Sequence, residues 1–143
     1  MTIAAILSGK GNDVASIASD APLSEAVSEL GNRRIGALLV MDGGEISGIL
    51  SERDLIYCLT ANGAQVLDWP VSRAMTAPPI VIAPEIDVLS ALALMTQRRI
   101  RHLPVVSADG ELMGIVSIGD LVKYRIERIE AEAEAMRTYI QTA

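Results

Sequence analysis

Gly48-Ile49-Leu50-Ser51-Glu52-Arg53-Asp54 returns later in the chain as Gly114-Ile115-Val116-Ser117-Ile118-Gly119-Asp120. Both stretches follow the pattern Gly-apolar-x-Ser-x-x-Asp, and in both an apolar strand pattern runs into a helical one. The likeness extends upstream. Arg33-Arg34-Ile35 falls on Arg98-Arg99-Ile100, Leu38 on Leu103, Val40 on Val105 and Ile17 on Ile82, a separation of 65 residues (98 − 33). Past the turn at Gly43-Gly44 the separation becomes 66 (114 − 48), because Ser107-Ala108-Asp109-Gly110 is one residue longer. A chain that matches itself with one single-residue adjustment contains two copies of one supersecondary unit.

Each copy reads β-α-β-β-α. Residues 14–17 and 80–82 are short β-rich segments, followed by Pro22 and Pro84. A helical spacing comes next: Leu23, Ala26, Val27 and Leu30 in the first copy, and Val88, Ala91, Leu92 and Met95 in the second. Ser24 and Asp87 are placed to serve near the two helix starts. After each Arg pair an apolar strand is expected at 35–41 and 100–106, then a Gly-containing turn, then a second strand at 45–50 and 111–116. A second helix starts near Arg53 and near Gly119. The expected domains are a first repeat at 1–62, a connector at 63–73 and a second repeat at 74–126. Asn62-Gly63 and Pro70 break the connector, and Trp69 is read as an anchor that packs it onto the body. A repeat of this size is marginal alone, since domains below about 60 residues bury too little surface. The expected class is therefore α+β, with the two repeats packed in pseudo-twofold symmetry.

From Leu121 the pattern is one long helix, with residues 127–143 as a C-terminal helical extension. Val122, Ile126, Ile129, Ala133, Met136 and Ile140 step by 4, 3, 4, 3 and 4, a heptad-like seam. Such a seam can lie on the protein's own body or meet its twin in a homodimer. It outlasts what a small body can cover, so the homodimer is expected.

Composition narrows the function classes. Half the residues are apolar, 3% are aromatic and Phe is absent, so the core is built from Ile, Leu, Val, Ala and Met. The formal net charge of −6 does not suit a general nucleic-acid binder. Arg33-Arg34 and Arg98-Arg99-Arg101 are instead read as cations that complement helix C-termini. The single cysteine, Cys58, excludes an internal disulfide and reads as a buried structural thiol in an apolar helix. No run approaches the ~18 apolar residues of a membrane span and no signal peptide is evident, so a cytoplasmic protein is expected. His102 is the only histidine, and no metal site with His ligands is expected. No nucleophile elbow, Ser–His–Asp order or Cys/His pairing points to catalysis, so no catalytic residue is assigned. Lys10, in Gly9-Lys10-Gly11, lacks the spacing of a phosphate-cradling Walker loop and reads as a solvated loop residue.

The strand-to-helix junctions are the places with chemistry. Free N–H groups and the positive end of a helix dipole favour an anion there. Ser51 and Ser117 add a hydroxyl. Asp54 and Asp120 add a carboxylate that can accept two hydrogen bonds from a vicinal diol. The same residues can also do no more than cap their helices.

The two junctions, together with Val71-Ser72-Arg73-Ala74-Met75-Thr76 and Arg99-Ile100-Arg101-His102-Leu103-Pro104-Val105-Val106, resemble a tandem pair of CBS domains, a Bateman module, over residues 3–126. Leu39 stands where the second repeat has the family's Pro104, a departure that blurs the end of the first strand. The resemblance implies a regulatory sensor, not an enzyme. It implies that an adenine nucleotide (AMP, ADP, ATP or NAD) binds in clefts between the repeats, and that an effector protein in trans reads the result. Asp54, Asp120, Ser51 and Ser117 would hold the ribose. By the same resemblance, Ser117 and Asp120 would work with Ile17, Ala21, Ile35, Gly36 and Ala37. Ser51, Arg53 and Asp54 would work with Val81, Ile82, Ile86 and Ile100. Arg53, Arg101 and His102 would face the phosphate side. The alternative is a ligand-independent dimerisation module.

Overall fold

A computed structural model describes residues 1–11 and 13–142. The last residue of the expected C-terminal extension, Ala143, lies outside them. The elements run α1 (Ile3–Lys10), β1 (Ser16–Ile17), α2 (Leu23–Arg33), β2 (Ala37–Asp42), β3 (Glu45–Ser51), α3 (Glu52–Asn62), two short 3₁₀ turns (Ala64–Asp68 and Val71–Arg73), α4 (Val88–Arg98), β4 (His102–Val106), β5 (Leu112–Ser117) and α5 (Ile118–Thr142). By packing, the chain divides into two compact units: Asp13–Ile80, and Met1–Asn12 together with Val81–Ala143. The N-terminal helix thus belongs to the unit that contains the second repeat, and the connector to the unit that contains the first.

In the Asp13–Ile80 unit, β1-β2-β3 form a sheet with β1 parallel and β3 antiparallel to β2. Ala37 through Val40 are all buried, which explains the unbroken apolar run of β2. Leu23, Ala26 and Leu30 of α2 pack with Ile17, Leu38, Val40, Leu50 and Leu55, and Val66 and Val71 of the connector close this core. Val27, included in the expected helix face, is exposed instead. It lies one residue beyond Ala26, about 100° further round the helix, at the margin of the buried stripe. Cys58, expected to be buried, is only half-buried against this core. Trp69 packs on it as well, with the Arg73 guanidinium 3.6 Å above its ring centroid. Gly63, at φ 77°, ends α3.

In the other unit β4 and β5 pair antiparallel, and Val88, Ala91 and Met95 of α4 are buried. The second repeat has no counterpart to β1 beyond a single bridge between Ile82 and Val105. The reason lies in one residue. In the first repeat the Leu39 N–H donates to the Ala15 carbonyl at 3.1 Å. The equivalent residue, Pro104, has no N–H to donate, so the strand expected at 80–82 shrinks to a bridge. Pro104 stays inside β4, opposite Ile115, so the Leu39/Pro104 difference does not end either strand.

The repeats match in detail. A β-bulge falls between Val40 and Met41 and again between Val105 and Val106. Arg34 and Arg99 both adopt left-handed backbone (φ 53° and 55°) to end α2 and α4. The following N–H groups, of Ile35 and Ile100, donate back to the Leu30 and Met95 carbonyls. This is a Schellman-type helix stop, usually a glycine's place. Asp87 caps α4 by accepting from the Ser90 N–H at 2.7 Å. Ser24 does not cap α2: Pro22 holds that position, with no side-chain cap bond.

Candidate functional site

The two Ser–Asp junctions are built alike. At the first, Ser51 ends β3 and starts α3. Its hydroxyl accepts from the Asp54 N–H at 3.3 Å and donates to Asp54 Oδ2 at 3.0 Å, while its own N–H donates to the same oxygen at 2.9 Å. At the second, the Ser117 N–H donates to Asp120 Oδ2 at 2.8 Å and the Asp120 N–H to Ser117 Oγ at 3.1 Å. Helix capping is therefore realised in both copies. The start of the neighbouring strand is tied to each junction. Ala37 lies opposite Ser51 and the Gly36 carbonyl accepts from the Glu52 N–H at 3.0 Å. His102 lies opposite Ser117 and the Arg101 carbonyl accepts from the Ile118 N–H at 2.8 Å. Gly36-Ala37 thus adjoin Asp54, and Arg101-His102 adjoin Asp120.

Each carboxylate has a further partner that the sequence reading missed. The Thr76 hydroxyl donates to Asp54 Oδ1 at 3.1 Å. The Lys10 ammonium donates to Asp120 Oδ2 at 2.6 Å and to the Ile115 carbonyl at 2.7 Å. Lys10 is the last residue of α1 and about a third exposed, not the solvated loop residue expected. The offset of 65 that holds ahead of Gly43 sets Lys10 against Met75, not Thr76, so the repeat carried no signal for these two partners. The motif glycines serve the same approach. A Cβ on Gly48 would lie 2.7 Å from the Thr76 carbonyl oxygen, and one on Gly114 would lie 2.9 Å from Leu7 Cδ2. The segment before each repeat therefore lies across the other repeat's motif strand: residues 75–76 on β3, α1 on β5.

The charges differ accordingly. Burial alone would raise the Asp120 carboxyl. The hydrogen bond and charge of Lys10, with hydrogen bonds from Ser117, outweigh it and hold the group below the usual carboxylate range. Asp54 has a neutral hydroxyl in place of that ammonium. Arg53 is exposed on the first turn of α3, where the second repeat has Gly119. Arg53, Arg101 and His102 all have partners within the fold. Of the residues expected at an adenine, Ile17, Ala37 and Ile82 are buried in the core, Ala21, Ile35, Gly36, Ile86 and Ile100 are half-buried, and Val81 is exposed. Ile17 and Ala21 also line an open groove of about 560 Å³, together with Asp20, Glu25, Glu29 and Arg33. Its carboxylates disfavour a phosphate, and Arg33 is already paired to Glu29 at 2.7 Å. Among the described residues no His, Cys, Asp and Glu cluster could hold a metal, and no helix is long and apolar enough to cross a membrane.

Comparison with known proteins agrees with this architecture. The CBS domain family model matches twice, at residues 11–61 and 71–127. The mitochondrial CBS domain-containing protein CBSX3 of Arabidopsis thaliana is 35% identical over 128 residues, 86% of this chain. The chain spans less than two thirds of the length of the first curated relatives it matches, 62% in the case of CBSX3. The crystal structure of ATU1752 from Agrobacterium tumefaciens superposes with a TM-score of 0.84 at 37% identity, covering 87% of this chain and 99% of that one. The CBS domain protein PAE2072 from Pyrobaculum aerophilum, solved in complex with AMP, gives a TM-score of 0.73 at 26% identity, covering 84% of this chain and 89% of that one. With two matched repeats, two duplicated junctions and this fold, the chain belongs to the CBS domain family as a tandem pair.

Proposed function

We propose that this chain is a regulatory module that binds an adenosine-type ligand, with the ribose diol on a junction carboxylate. The observation that carries the reading is the duplicated Ser–Asp junction. Each places a carboxylate at a helix N-terminus, where backbone donors are also available to an anion. The AMP complex of PAE2072 supports an adenosine ligand. Half-buried Ile35, Ile86 and Ile100 offer apolar surface to an adenine, and buried Ile17, Ala37 and Ile82 would meet one mainly through backbone groups. Arg53, Arg101 and His102 supply donors for a phosphate. The ligand is AMP, ADP, ATP or a dinucleotide such as NAD, and the chain performs no chemistry on it.

The two carboxylates are not equally available. A ribose at Asp54 competes only with neutral hydroxyls, those of Thr76 and Ser51. A ribose at Asp120 competes with the charge-assisted bond from Lys10, the stronger kind. Asp54 therefore takes ligand first. Occupation of Asp120 displaces Lys10 and with it the end of α1, which gives the binding event something to report to an effector in trans. Such coupling requires that ligand bind one state better than the other. Calorimetric titration with AMP, ADP, ATP and NAD tests the reading. Saturable binding of at least one is expected, and flat titrations with all four at millimolar concentration would sink it.

A further inference from the structure

From Ile126 to Thr142 every residue of α5 is exposed, and the seam with it: Ile126 is 50%, Met136 61% and Ile140 67% accessible. The alternative in which this seam rests on the protein's own body does not hold. An isolated helix of about 15 residues is marginal in water, and a row of exposed Ile and Met makes this one a surface that wants cover.

The charges beside the seam identify what covers it. With Ile126, Ala133 and Ile140 at heptad position a, and Val122, Ile129 and Met136 at d, Arg125 and Glu132 fall at g, and Lys123, Glu130 and Arg137 at e. In a parallel, in-register pair, each g residue faces the e residue five places on in the other helix. That sets Arg125 against Glu130 and Glu132 against Arg137, attractive both times and repeated by the twofold axis. In an antiparallel pair with the same apolar layers, Glu130 meets Glu130, Glu132 meets Glu132 and Lys123 meets Arg137, all repulsive. An anionic lipid surface is disfavoured as well. The stretch 126–142 carries four Glu and two Arg, whereas helices that lie on such membranes are rich in Lys and Arg.

We infer that the C-terminal helix pairs with that of a second copy of this chain as a parallel, in-register coiled coil. This inference rests on no part of the nucleotide reading. Along their own helix, Glu132 meets Arg128 at 3.3 Å and Arg137 meets Glu134 at 3.1 Å. These are exposed pairs of little strength, so they yield to or share with the partner helix.

Sedimentation equilibrium of the full chain over a concentration series tests the pairing, with near-ultraviolet dichroism of Trp69 to confirm that the body stays folded. A dimer is expected, and Ile129→Glu should raise its dissociation constant about tenfold or more, as loss of a buried isoleucine implies. Glu132→Arg and Arg137→Glu should each weaken the dimer, and the two together should restore it. Ile140→Cys should oxidise to a covalent dimer joined at position 140 in both copies, a bridge that only the parallel arrangement allows. A monomer at every concentration, a dimer indifferent to Ile129→Glu, a double charge swap no better than the single ones, or a failure to bridge at position 140 would each overturn the inference.

Discussion

A carboxylate three residues into a helix can cap it, hold a cation or accept a sugar diol, and its neighbours decide among these. Asp54 and Asp120 both cap, yet their remaining partners differ, a hydroxyl against an ammonium. Replacing Asp54 with Ala should weaken ligand binding by about 1.5–3 kcal/mol, the usual scale for hydrogen bonds to a charged group. Calorimetry on wild type and variant would measure it, and unchanged affinity would remove the ribose role. Lys10→Met should raise the affinity of the weaker site, since its competitor is gone. A fall in affinity would instead make Lys10 a ligand contact and discard the competition. Acid sensitivity follows from the same pair. The Asp120 carboxyl is held below its unfolded value, so its stabilisation is complete above about pH 4 and is lost as pH falls through the folded value. Asp120→Asn should therefore flatten the dependence of unfolding free energy on pH below about 4. Asp42, lowered by hydrogen bonds from Ser47 and Ser19, and Asp87, lowered by those from Ser90, will keep part of the slope. Denaturant titrations at several pH values would measure the difference.

At the scale of elements, the motif glycines and Pro104 explain how one repeat design tolerates two sequences. Gly48 sits under a backbone carbonyl and Gly114 under the tip of a leucine side chain. A methyl on Gly48 forces the 75–76 segment off β3, whereas one on Gly114 asks only that Leu7 turn. Gly48→Ala should therefore cost about 1–3 kcal/mol and Gly114→Ala clearly less, as thermal unfolding of the two variants would show. Equal losses would mean that the crossing segments, α1 and residues 75–76, are held equally rigidly. Much at this scale was legible in the sequence. The order of elements, the turns at Gly43-Gly44 and Gly110 and the stop at Gly63 all come from local patterns that act within a few residues. The missing strand near Ile82 was not legible, because it depends on which side of β4 the absent proline N–H would have faced. The left-handed Arg34 and Arg99 were hidden too, because arginine carries no such preference and only the descent into the next strand imposes it.

For the whole molecule, ligand linkage offers a test that assumes no particular site. A ligand that binds only the folded chain stabilises it by RT ln(1 + [L]/Kd), about 2.7 kcal/mol at a hundred times Kd. The melting temperature should rise with AMP concentration in wild type and rise less when both Asp54 and Asp120 are Ala. Equal shifts in the two proteins would place the ligand elsewhere. The sequence by itself determined the duplication, the element order, the family and the two Ser–Asp junctions, because period, turn chemistry and capping are written in neighbouring residues. Only the tertiary structure decided which segment lies over each junction. Lys10 meets Asp120 across 110 residues of chain and Thr76 meets Asp54 across 22. Contacts so distant leave no periodic trace. They arise because a glycine in each motif strand lets a foreign segment come close enough for its side chain to reach the acid.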